Sequence, residues 1–163
     1  MKLQFEIVPV ELGDGGALYS IRYKGEKNTE LDKFLGCENV QACDEYESLV
    51  LRLYDMVESF GFRPGYFKLE EGSYYDSVVA LHYENGPLRL YCLRRSSLLL
   101  IVGYGGPKFT GTYQEEPVLD EAVKKLQTID ALLDKRQKSR EIIINPNTGA
   151  MDGDLVFTAD DWE

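Results

Sequence analysis

Tyr66 to Lys108 reads YFKLEEGSYYDSVVALHYENGPLRLYCLRRSSLLLIVGYGGPK, and this stretch decides the fold. It holds three apolar runs of strand length, Val78 to Tyr83, Leu88 to Leu93 and Leu98 to Tyr104. Asn85-Gly86 between the first two is a strong hairpin signal, and Pro87 behind it removes one backbone donor, which pushes the loop toward a longer or bulged form. Arg94-Arg95-Ser96-Ser97 reads as the second turn. In Leu98 to Tyr104 both alternating sets are apolar until Gly103, the pattern of a strand covered on both faces and hence central in its sheet. Tyr66 to Leu69 fits an edge strand, with Glu70 to Ser73 as a turn.

Upstream, Met1 to Val10 and Ala17 to Lys24 are β-rich runs joined by Gly13-Asp14-Gly15-Gly16, which predicts a hairpin. Glu26 to Leu35 places Leu31, Phe34 and Leu35 at helical spacing behind an Asn28 or Thr29 cap and ahead of Gly36. Asp44 to Phe60 reads as a long helix, with Asp44 as cap, Glu47 in the capping-box position and Gly61 as stop. Its apolar stripe is Tyr46, Leu49, Val50, Leu53, Val57 and Phe60, a core-facing pattern. Downstream, Pro117 opens a helix running to about Lys135, with acids at its start and Lys135, Arg136 and Lys138 at its end, as the macrodipole favours. Its apolar positions are Val118 or Leu119, Ala122, Val123, Leu126, Ile129 and Leu133. Glu141 to Ile144 is a short strand, 145–149 a turn, and Asp154 to Thr158 is expected to pair back as a terminal hairpin. The sum is an α+β fold, helices packed on a mainly antiparallel meander, in a single domain over 1–163.

That size buries a sizeable core without staples. No apolar run is long enough for a membrane span and the N-terminus lacks a signal-peptide block, so a cytoplasmic location is expected. Cys37, Cys43 and Cys92 are odd in number and read as reduced thiols. One histidine and no Cys-x-x-Cys pair leave no zinc set of the usual spacing, and neither metal nor other cofactor is expected.

The net charge of −10 argues against nucleic-acid binding, yet the charge is unevenly distributed. Residues 1–60 hold 6 basic and 12 acidic side chains, 61–140 hold 12 and 10, and 141–163 hold 0 and 6. A mildly basic middle thus lies between two acidic ends, either as a solvated surface or as a basic face with an acidic tail over it.

Within the middle, Gly103-Tyr104-Gly105-Gly106-Pro107-Lys108 lacks the spacing of a phosphate loop, and its glycines read as a sharp exit from the sheet. His82 alternates with Val78 and Ala80 in an apolar strand, with no nucleophile signature beside it. Glu70-Glu71 and Glu115-Glu116 read as turn and cap residues. Arg89 alternates with Tyr91 and Leu93, opposite Leu88, Leu90 and Cys92. With Lys68, Lys108 and Tyr74, Tyr75, Tyr91, Tyr104 and Tyr113, it forms the set best suited to holding a phosphate and stacking unpaired bases. The plainer alternative is an arginine whose stem lies along a solvated sheet face.

The order of these pieces resembles a known family. A helix precedes Phe-Lys-Leu-Glu-Glu-Gly at 67–72, a strand and then Asn-Gly-Pro-Leu-Arg-Leu-Tyr at 85–91. An apolar strand ending in Gly103-Tyr104, then Lys108 and a Glu-Glu-Pro helix start at 115–117 complete a pattern that resembles the RelE/HigB-like toxin superfamily, including its phage-derived Gp49-like branch. The likeness covers about Glu26 to Leu133, with 141–163 left as an acidic extension. It implies a RelE-like sheet that cradles RNA and a metal-independent mRNA endonuclease acting in translation, paired with an antitoxin protein. The partners it implies are that antitoxin and mRNA on the ribosome, with no DNA contact of its own and no membrane. Carried over, Arg89 would be the phosphate clamp, Lys108 the loop cation and Lys68 a supporting charge, with Tyr91 or Tyr104 stacking or orienting a base. Where members often carry Glu-Leu-Arg this chain has Ala80-Leu81-His82, and where they often carry Lys-Lys-Thr it has Lys108 alone; His82 completes the catalytic candidates with Arg89 and Lys108. With the acidic ends, these departures motivate an alternative, a non-catalytic interaction or regulatory module on the same fold.

Overall fold

The structure is a computed structural model that describes residues 3–68, 77–108 and 117–158. It is an α+β protein built on a seven-stranded, mainly antiparallel sheet. The strands are β1 (Phe5–Gly13), β2 (Gly16–Tyr23), β3 (Phe67–Lys68), β4 (Val78–Leu81), β5 (Leu88–Ser96), β6 (Leu99–Pro107) and β9 (Val156–Phe157), in the order β3-β4-β5-β6-β2-β1-β9. β2 and β6 run parallel, with Ala17 opposite Leu99. β6 therefore lies in the middle, as its two-sided apolar pattern requires, and its residues Leu99 to Val102 are fully buried.

Alternation along these strands feeds two cores. Leu18, Leu88, Leu90, Cys92, Leu100 and Val102 face α1 (Glu30–Leu35), α2 (Glu38–Gln41) and α3 (Tyr46–Asp55). Ala17, Tyr19, Ile21, Tyr91, Leu93, Leu99 and Ile101 face α4 (Pro117–Lys138), which contributes Leu119, Val123, Leu126, Ile129 and Leu133. Ser20 ties the first core together, its buried hydroxyl donating to the Val102 carbonyl (2.9 Å) and accepting from the Leu31 amide (3.0 Å).

Thr29 caps α1 through a full capping box with Asp32, and α1 ends at Gly36. The next helix departs from expectation. α3 begins at Tyr46, and neither Asp44 nor Glu47 forms the expected cap. Glu45 precedes it and points elsewhere: its Oε1 accepts the Leu88 amide at 2.7 Å, fastening the β4–β5 loop to the start of the helix. From Met56 to Phe60 the helix widens into a π turn. The β1–β2 turn presses on that segment, the Gly15 amide donating to the Val57 carbonyl at 2.8 Å, and a Cβ at Gly15 would lie 2.1 Å from the Met56 oxygen. The wider turn changes the helical phase beyond Val57, so Phe60, expected in the stripe, is 54% exposed. Gly61, at φ 75°, stops the helix.

β5 continues through Arg94 and Arg95 to Ser96, so the expected second turn shrinks to 97–98. Arg95 is held in strand geometry by α4, donating to Asp130 (2.6 Å), Asp134 (2.8 Å) and Gln137 (2.9 Å). The tail is also rearranged relative to expectation. β7 (Ile142–Ile144) pairs with β8 (Met151–Gly153), while β9 leaves to become the edge strand beside β1. Phe157 stacks on Phe5 with centroids 4.6 Å apart, and Arg136 donates to the carbonyls of Asp154 and Val156, both at 2.7 Å. Residues 141–158 are therefore part of the packed structure.

Candidate functional site

The β3–β4–β5–β6 half of the sheet brings four of the sequence candidates to one end. Lys68 is opposite Ala80, Ala80 opposite Tyr91, and Arg89 opposite Gly106. The β4–β5 register continued one step past Leu81–Leu90 sets His82 across from Arg89. Lys108 follows β6, its amide donating to the Pro87 carbonyl at 2.8 Å. Lys68 is exposed, and His82 and Lys108 are half-buried.

Arg89 is buried, at 7% exposure. Its Nη1 donates to the carbonyls of Gly86 (2.6 Å) and Leu88 (2.9 Å), so part of the guanidinium shapes the loop after β4. Its Nε is buried and has no acceptor among the described residues. His82 Nδ1 lies 3.1 Å from the Glu84 carbonyl. A carbonyl only accepts, so Nδ1 carries the proton and Nε2 of the neutral ring is left with a lone pair. Burial lowers the pKa of His82; the Glu84 carbonyl opposes this, and the charges of Arg89, Lys68 and Arg52 add to the lowering. A neutral imidazole ringed by cations can accept a proton next to a site that attracts anions.

The two tyrosines expected to meet a base fare differently. Tyr104 is half-buried against the α4-side core, its hydroxyl above Gly106, the partner of Arg89. Tyr91 is fully buried: its strand face is covered by α4, so its ring is packed among core side chains and offers no face to a base. Tyr74, Tyr75 and Tyr113, the turn at 70–73, most of the Lys68 to Gly72 element and Glu115-Glu116 lie outside the described residues.

Sequence reasoning missed a second constellation on the opposite face. Arg52, on the solvent side of α3, lies between Tyr66 and Tyr83, its guanidinium carbon 4.5 and 4.6 Å from the two ring centroids. With Ser48, Leu51, Asp55, Met56 and Phe60 these residues line a pocket of about 280 Å³. No spacing rule joins positions 52, 66 and 83. The available signal was Leu51, an apolar residue off the core stripe that is 63% exposed.

Compared with protein-family models, with curated proteins and with solved structures, the chain matches none. Among the described residues no helix is long and apolar enough to cross a membrane.

Proposed function

We propose that the chain is a RelE-like, toxin-type component of a toxin–antitoxin pair that cuts mRNA without a metal. The observation that carries this reading is the convergence of His82, Arg89, Lys68 and Lys108 at one end of the sheet, in a chain whose net charge is otherwise strongly negative. In the reaction, His82 Nε2 takes the 2′-hydroxyl proton, the freed oxygen bonds to the adjacent phosphorus, and the P–O5′ bond breaks, the leaving 5′-oxygen taking its proton from solvent water. The Arg89 guanidinium and the Lys108 ammonium stabilise the charge that builds on the phosphoryl oxygens, while Lys68 holds a neighbouring phosphate. Tyr104 orients the base. Expression without a partner tests the proposal: growth arrest with mRNA cleavage is expected, abolished by Arg89→Ala and His82→Ala in variants that keep the wild-type circular dichroism. No arrest and no cleavage, or full toxicity of Arg89→Ala, overturns it.

A second reading, a non-catalytic interaction module, has its own support. Helices cover both faces of the sheet, leaving no open cradle among the described residues, and Arg89 is bound to its own loop. On that reading, expression is harmless and Arg89→Ala changes only stability.

A further inference from the structure

The groove on the α3 face bears on a different question, what sort of molecule this protein holds. The Arg52 guanidinium makes no hydrogen bond or ion pair among the described residues, not even with Asp55 three residues along the same helix. Every other arginine with a ring contact or an ion pair on α4 has an oxygen acceptor, as Arg95 has in Asp130 and Arg136 in Asp154. The Arg52 guanidinium, its carbon 4.5 and 4.6 Å from the two ring centroids, thus keeps N–H donors unspent, and the planar fork of a guanidinium matches a carboxylate. Fully buried Met56 sets the floor, and Leu51 and Phe60, at 63% and 54% exposure, form an apolar rim.

We propose that this groove docks a partner protein through a segment that presents one carboxylate to Arg52 and apolar side chains to Leu51 and Phe60. Arginine, tyrosine, phenylalanine and methionine are the residue types concentrated in the energetic centres of protein interfaces. The occupant is a protein segment because one face of each tyrosine already holds the guanidinium, the rim is apolar, and the chain is too acidic to attract a polyanion without a basic surround. Ser48 and Asp55 stand ready to accept backbone N–H groups of the segment. This surface stands whether or not RNA is cut at the other face.

The chain supplies its own reporter. His82 is its one histidine, Tyr83 of the groove is its neighbour, and the Arg52 charge is felt at His82 together with those of Arg89 and Lys68. A carboxylate seated on Arg52 offsets one of these three charges, so docking raises the His82 midpoint, and by linkage protonation of His82 tightens docking.

The test is selection of a random-peptide display library on the full chain, followed by titration with an enriched synthetic peptide. Enriched sequences are expected to carry Asp or Glu beside Leu, Ile, Met or Phe. The peptide should bind about tenfold or more weakly to Arg52→Gln and to Phe60→Ser, and at saturation it should raise the His82 midpoint read by proton NMR. No enrichment, enrichment of peptides without an acid, or equal binding by Arg52→Gln overturns the proposal. So does a single-stranded RNA that binds the wild type and is lost in Arg52→Gln, which would make the groove a nucleic-acid site.

Discussion

Arg95 reaches from β5 onto α4 and commits its guanidinium to Asp130, Asp134 and Gln137, whereas Arg52, on the other face of the sheet, lies between Tyr66 and Tyr83 with no acceptor among the described residues. Both are half-way positions by sequence, a cation beside apolar neighbours. They differ in what closes around them. Asp130, 4% exposed, requires a cation to offset its lost hydration, so Arg95 is part of what holds α4 to the sheet. Arg52 can be removed without leaving any buried charge behind. A fully partnered arginine thus indicates structure, and one with idle donors indicates recognition.

Mutation separates the two arginines. Arg95→Ala strands Asp130 as a buried, unpaired carboxylate and is expected to cost about 3–5 kcal/mol in urea unfolding; a loss under 1 kcal/mol would mean that the pair is not what anchors α4. Phe157→Ala removes a ring that is stacked on Phe5 and covered by Arg136, with an expected loss of about 3 kcal/mol. If stability is unchanged, the tail is decoration after all. Ser20→Ala leaves the Leu31 amide without its buried acceptor and should cost about 1–3 kcal/mol by the same measurement. Arg52→Gln, in contrast, is expected to shift stability by about 1 kcal/mol or less, the worth of a partly exposed cation–π contact.

The smallest effect is the pH dependence of His82. Its folded pKa lies below the ordinary value, so the unfolded chain binds the proton more readily. The contribution is therefore fully present above the unfolded midpoint of about 6.5 and is lost as pH falls through the folded one. His82→Asn should flatten the decline of stability below that pH, and Arg52→Gln should raise the His82 midpoint in the free protein. An unchanged midpoint would disconnect the two faces.

The fold was largely legible because its signals are local. Two-sided apolarity located β6 at the centre, Thr29 and Gly36 bounded α1, and Pro117 opened α4. What could not be read depends on distant partners. Glu45 holds Leu88 instead of capping its helix, and the helix widens and turns Phe60 outward where the β1–β2 turn meets it. The candidate site followed the same division. The β4–β5 register, continued one step past its last pair, sets His82 across from Arg89, which period-two alternation makes visible, but alternation alone does not say that α4 covers Tyr91 or that loop carbonyls claim Arg89. Arg52 needed three segments to meet.

β9, the outermost strand beside β1, is two residues long. A long bare edge is a template on which another chain can add a strand, and short edges deny it that length. Behind β9 lies β1, nine residues long and paired on its other side to β2. β9 pairs with Phe5 and Glu6 and so shields the first part of that edge: deleting residues 154–163 should bare it and produce concentration-dependent aggregation, read by light scattering, even under conditions where the remaining sheet stays folded.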